Sequence, residues 1–275
     1  MTIGSFTLIK NEALWIGPHL MAWLPNLDQM VFLDGNSTDG TTETIERVRD
    51  NHPLGKRIRL VKDCDPDNLQ DDYVFIQNKA LHSLDTEFAF FLHPDMFPIS
   101  GMDNLRNLDG VAYFKTLETY GGDPLKDYVY EMQGRATTWK SIMRLKEPNL
   151  GLHYFGHYGA WNEDMYFSDI TGNAHEFHSE RYSRYPYEVK DSGLKVAHFS
   201  DVRTYERRVT RMISCLLNNG MPQDKAEEFA PNHPRVNFIS SGDIKVVKTE
   251  MPDCLLKARE NFIKFEKGER CFHLS

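Results

Sequence analysis

Three apolar runs in the first hundred residues each stop at a polar or acidic residue, and helical segments separate them. Ser5–Ile9 stops at Lys10, Met30–Leu33 at Asp34, and Glu87–Leu92 at His93-Pro94-Asp95. Met30-Val31-Phe32-Leu33 is apolar at every position, the pattern of a strand covered on both faces, as in a parallel sheet. Residues 12–24 carry Leu14, Leu20, Trp23 and Leu24 at helical spacing, and Ile45 and Val48 mark the inner face of the next helix. A further strand is expected at 58–61, then a helix at 73–84. Strand and helix in this alternation imply an α/β fold with a mostly parallel central sheet flanked by helices. Ligands of such sheets bind beyond the carboxyl ends of the strands. Lys10, Asp34 and Asp95 are all at those ends.

The texture changes after residue 110. Val111–Lys115 and Val196–Phe199 read as strands, but residues 120–185 are rich in Gly, Tyr and His with irregular spacing. Helices are expected near 201–218 and 252–267, the latter with Leu255, Leu256, Phe262, Ile263 and Phe265 as core candidates. No composition break suggests a linker. The expected organisation is one domain over residues 1–275, with halves at 1–110 and 111–275.

Charge follows the same division. The net charge of −8 lies entirely in residues 1–110, which hold 9 basic and 17 acidic side chains, while residues 111–275 hold 23 of each. Such a chain is not a general nucleic-acid coat, although the neutral half leaves room for an anionic partner. The four cysteines, Cys64, Cys215, Cys254 and Cys271, show no pairing pattern. Together with the lack of a secretory leader or transmembrane segment, this gives a cytoplasmic expectation.

Asp34-Gly35-Asn36-Ser37-Thr38-Asp39-Gly40-Thr41 is the richest segment. An acidic group at a strand end followed by small polar residues suits hydrogen bonding to a ribose or base edge. The same residues also suit a strand-to-helix turn capped by Ser37, Thr38 or Asp39.

In order and spacing, Thr7-Leu8-Ile9-Lys10-Asn11-Glu12, Phe32–Thr41, Gln77-Asn78-Lys79-Ala80-Leu81 and Phe91-Leu92-His93-Pro94-Asp95 together resemble family 2 glycosyltransferases with the GT-A fold. The resemblance runs over residues 5–100 and thins afterwards. It implies a Rossmann-like GT-A sheet, with 1–110 as the nucleotide-sugar-binding half and 111–275 as an irregular acceptor half with C-terminal helices. Lys10, Asn11, Glu12, Asp34, Asn78, Lys79, His93 and Asp95 would line the donor site, with Asp34 at the nucleoside. The D-x-D element of that family holds a divalent metal on the donor diphosphate. Here His93 replaces its first aspartate and Asp95 keeps its last.

The resemblance also implies Mn²⁺ as cofactor, with Mg²⁺ as alternative, held by Asp95 and His93 and completed by the late His198. In Trp161-Asn162-Glu163-Asp164 it implies the acid that deprotonates an acceptor in an inverting transfer, Asp164 first and Glu163 second. The implied activity is a metal-assisted glycosyl transfer from a nucleotide sugar, a UDP-sugar favoured. The acceptor is open among glycan, protein, lipid-linked and nucleic-acid partners, and so is the oligomeric state. A metal-dependent hydrolase using the His/Asp set and a non-catalytic nucleotide-sugar binder are the alternatives. Arg203, Arg207, Arg208 and Arg211 recur at helical spacing beyond His198. They suit a diphosphate, an anionic acceptor or, more simply, a solvated helix face paired with Asp201 and Glu206.

Overall fold

A computed structural model describes residues 1–62, 80, 83–107, 112–133, 140–144, 153–156, 165–168, 174–177, 189–218, 220–240 and 245–269. The N-terminal half is laid out as the apolar pattern requires. Strand β1 (Ile3–Ile9) leads to helix α1 (Ala13–Trp23), β2 (Gln29–Asp34), helix α2 (Thr41–Asn51) and β3 (Ile58–Val61). β4 (Phe88–Phe91) and β5 (Met96–Ser100) follow. β1 pairs in parallel with β2 on one side and β4 on the other, and β2 pairs in parallel with β3. Register sets Ile9 beside Asp34 and Phe6 beside Phe91, so three strand ends open on one edge of the sheet. The helix expected at 73–84 lies almost wholly outside the described residues.

The second half adds β6 (Ala112–Gly122), β7 (Tyr128–Gln133), β8 (Lys140–Arg144), β9 (His153–Gly156), β10 (Met165–Ser168), β11 (Ala174–Phe177) and β12 (Val189–Val202). Then come helices α3 (Tyr205–Asn218), α4 (Gln223–Phe229) and α5 (Pro234–Asn237), strand β13 (Lys245–Glu250) and helix α6 (Asp253–Glu266). The main sheet runs β13-β7-β6-β8-β4-β1-β2-β3, with β12 pairing to β5 and β6. β8 joins β4 antiparallel and so begins an antiparallel wing on the parallel core. β9, β10 and β11 form a separate antiparallel sheet. The stretch expected to be irregular thus carries strands. In β7, only Val129 and Met132 are buried, a pattern too sparse to announce a strand beside so many Gly and Tyr residues.

α1 is apolar on almost every side because it is covered on almost every side. Trp15, Ile16, Leu20, Trp23 and Leu24 are all buried, each contributing about 2–3 kcal/mol of transfer free energy. The Trp23 indole N–H donates to Met96 O at 2.8 Å and ties the helix to β5. On its other face Phe262 of α6 lies against Gly17, where a Cβ would overlap the ring. Two expectations need correction. Leu14 is exposed on α1, and Leu256 and Ile263 are exposed on α6, whereas Leu255 is buried and Phe262 and Phe265 pack at the core margin. Spacing alone placed all of them inward. α6 presents only one narrow face to α1, and its outer positions face water.

Candidate active site

The carboxyl ends of β1 and β2 are stitched into one unit. Asn11 N–H donates to Ser37 Oγ at 2.9 Å, and Thr38 N–H donates to Asn11 Oδ1 at 2.8 Å. Glu12 N–H donates to Thr41 Oγ1 at 2.8 Å, and Ala13 N–H to Asp39 Oδ2 at 3.0 Å. Both Asn11 (φ 56°) and Asn36 (φ 59°) have left-handed backbone, a region where asparagine is among the few side chains readily accepted. Of the three expected caps, Asp39 does reach α2: its Oδ1 accepts from Thr41 N–H at 3.1 Å, next to Gly40, the N-cap. Ser37 accepts from the β1–α1 loop, and Asp39 accepts from that loop through its other oxygen. Asp34 is buried and accepts from Ser37 N–H at 3.1 Å and from the Ser37 hydroxyl, which closes the turn from within.

Asp95 sits one turn beyond β4. Met96 N–H donates to His93 O at 3.1 Å and folds the His93-Pro94-Asp95 segment back into β5. β12 runs beside it, since Phe199 N–H donates to Asp95 O at 2.9 Å. The pairing of β12 with β6 shifts register between His198 and Asp201, the kind of irregularity that re-aims a side chain beside a site. In consequence His198 Nε2 stands 3.3 Å from Asp95 Oδ1, and the His93 and His198 rings stack at 5.4 Å with planes 9° apart. The expected trio of Asp95, His93 and His198 is therefore brought together.

Arg203 completes the cluster in a way the sequence reading missed. Expected on a solvated helix face, it is buried just ahead of α3. Its Nη2 is 3.1 Å from Asp95 Oδ2, Nη1 is 3.6 Å from Glu12 Oε2, and Nε donates to Ser200 O at 3.1 Å. Arg207, one turn on, is about half exposed and donates from Nη2 to Asn11 O at 2.9 Å. Asp201 pairs with Arg235, at 2.7 Å. Arg208 donates to Gly122 O and lies over the Phe238 ring, and Arg211 donates to Ser200 O, so these two brace the structure. No spacing rule separates Arg203 from its neighbours; only the fold does.

Electrostatics follow from burial and neighbours. Burial alone would raise the Asp95 carboxyl, but His198, Arg203 and His93 outweigh it and hold the group well below the usual carboxylate range. Glu12 shows the opposite balance. Burial pushes it up to about 7, against the pull of Arg203 and Arg207. The site thus holds one firmly ionised carboxylate and, one guanidinium away, one that exchanges its proton near neutrality. Lys10 is exposed at the end of β1. Asn78, Lys79, Glu163 and Asp164 lie outside the described residues.

No helix among the described residues is long and apolar enough to cross a membrane. Compared by sequence, the chain matches no protein-family model and no curated protein. Among solved structures it is similar to residues 1–349 of S. aureus TarS, with TM-score 0.43 and 12% identity over 84% of this chain and 69% of that one. It is similar to the mannosyltransferase PcManGT from Pyrobaculum calidifontis in complex with GDP-Man and Mn²⁺, with TM-score 0.32 and 22% identity over 41% of this chain and 34% of that one. The galactosyltransferase LgtC, in complex with donor and acceptor sugar analogues, gives TM-score 0.30 and 12% identity over 41% of this chain and 46% of that one. The latter two are sugar transferases by name, all three are similar at low identity, and the functional reading rests on the site residues themselves.

Proposed function

We propose that the chain is a GT-A glycosyltransferase that moves a sugar from a nucleotide-sugar donor, a UDP-sugar favoured, to an acceptor hydroxyl with inversion. The observation that carries the reading is one cluster at the carboxyl edge of the parallel strands. There Asp95 is held between Arg203 and His198, next to two loops bonded to each other. Such a transfer releases a nucleoside diphosphate, and negative charge grows on its phosphate oxygens as the sugar departs. Fixed cations aimed at those oxygens stabilise that change.

In this reading Asp34 meets the nucleoside, and Lys10, Asn11 and Glu12 line the pocket together with Asn78 and Lys79. A divalent cation, Mn²⁺ or Mg²⁺, would be held by Asp95 and His198 with His93 beside them. When bound it supplies positive charge to the departing diphosphate. The fit rests on Asp95 Oδ1, a buried oxygen with no well-aimed hydrogen-bond donor, 3.3 Å from His198 Nε2. Among the described residues no three His, Cys, Asp or Glu side chains form a closed ligand set. The protein would thus provide part of the shell and leave the rest to phosphate oxygens and water, as hard cations at phosphate sites commonly require. Asp164, and after it Glu163, would take the acceptor proton.

The test is a panel of UDP-, GDP- and other nucleotide sugars, with and without Mn²⁺, read by thermal shift and by release of nucleoside diphosphate. Stabilisation and release with one donor are expected. No stabilisation by any nucleotide would overturn the reading.

A further inference from the structure

We infer that Arg207 is a phosphate-binding residue of the donor site and takes the diphosphate of the nucleotide. The inference rests on the reading above. It adds to the β-strand ends a residue from α3, far away in sequence.

The first argument is the division of labour between two arginines one helical turn apart. Arg203 is buried and committed on all three sides, to Asp95, to Glu12 and to Ser200 O. Arg207 hangs from a single strong bond to Asn11 O and stands 3.6 Å from Glu12 Oε1, with about half its side chain open to solvent. Among the described residues no hydrogen bond engages its Nε or Nη1. A guanidinium fixed at one corner and open at the others presents the fork that suits phosphate oxygens.

The second argument is how it is anchored. Asn11 holds a left-handed backbone that Ser37 and Thr38 fix from both sides. Its carbonyl is therefore oriented by the loop that follows Asp34, and the guanidinium is tied to the element that would hold the nucleoside. An exposed arginine with only a solvating role would need no such tether.

The third argument is charge. Asp95 is taken by Arg203 at 3.1 Å, whereas Arg207 stands 3.6 Å from Glu12, beyond hydrogen-bond reach. An incoming dianion therefore meets a guanidinium that no carboxylate holds by a hydrogen bond.

Titration calorimetry of the wild type and Arg207→Ala with UDP, uridine, GDP and guanosine, in Mn²⁺ and in EDTA, tests this. The variant should bind the diphosphate that wild type prefers about ten- to a hundredfold more weakly, as for loss of a charged hydrogen-bond donor. Its affinity for the matching nucleoside should stay within about twofold, since the base and ribose contacts are untouched. Arg207→Lys should recover part of the loss. Equal weakening for nucleoside and diphosphate, or no change for either, would overturn the role of Arg207 while leaving the donor reading intact. A wild-type protein that binds neither these four ligands nor any other nucleotide of the donor panel would overturn both.

Discussion

Arg203 and Asp95 form a buried ion pair across the site, Nη2 to Oδ2 at 3.1 Å, which joins the end of β12 to the turn beyond β4. Neither group can shed its charge at neutral pH. The Asp95 carboxyl is held low by its neighbours, and a guanidinium does not deprotonate. Arg203→Met therefore leaves a carboxylate stranded in the interior, at an expected loss of about 3–5 kcal/mol in urea unfolding. A loss under about 1 kcal/mol would mean that water or His198 takes over the charge.

The contact between Gly17 and Phe262 predicts a repairable defect. Gly17→Ala puts a methyl into the ring and should destabilise by about 1–3 kcal/mol, as overpacking does. Phe262→Leu in the same chain should restore part of that loss. Additive effects in the double variant would show that the two residues do not meet.

Glu12 makes stability depend on pH in a defined window. The folded chain keeps its proton up to about pH 7, while the unfolded chain releases it near the ordinary glutamate value of about 4.5. The native state thus binds more protons between those values, and the Glu12 contribution to stability falls as pH rises through them and is level on either side. Between pH 5 and pH 8, wild type should lose more stability than Glu12→Gln. The difference is read from urea midpoints at the two pH values, and equal losses would mean that Glu12 titrates normally.

Removal of the cation offers a separate check. EDTA should abolish release of nucleoside diphosphate from the donor, and Mn²⁺ should restore it. His198→Gln should lose the Mn²⁺-dependent part of donor-induced thermal stabilisation and retain stabilisation by the nucleoside. If release continues at full rate in EDTA, the charge on the leaving group is balanced by protein side chains alone.

Asp164→Asn should bind donor as wild type does and transfer about 10²- to 10⁴-fold more slowly, the usual worth of a general base. Full activity in this variant with loss in Glu163→Gln would move the role to Glu163.

The parallel core was legible because both-sided burial leaves an unmistakable trace. Met30–Leu33 has no polar interruption, and the expected strand at 58–61 is present over the same residues. Lys10, Asp34 and Asp95 stood out because strand ends combine an abrupt polarity change with turn residues. Arg203 did not stand out, since four arginines within nine residues look alike until a bulged strand delivers one of them to the interior. β7 and β13 were illegible for a different reason. They are half-covered antiparallel strands, and residues such as Tyr128 and Tyr130 are neither clearly buried nor clearly exposed. The knitting of the Lys10–Ala13 and Asp34–Thr41 loops also escaped, because cross-loop hydrogen bonds leave no periodic mark.

The seat of Phe262 on Gly17 has a consequence for the newborn chain. The helix that begins the molecule's interior cannot finish its packing until a helix starting at residue 253 has left the ribosome, on the order of tens of seconds later at ordinary synthesis rates. Until then the outer face of α1 is bare apolar surface, open to chaperones and to other nascent chains. Whatever weakens the last helix should appear first as poor yield in the cell, before any effect on catalysis can be measured.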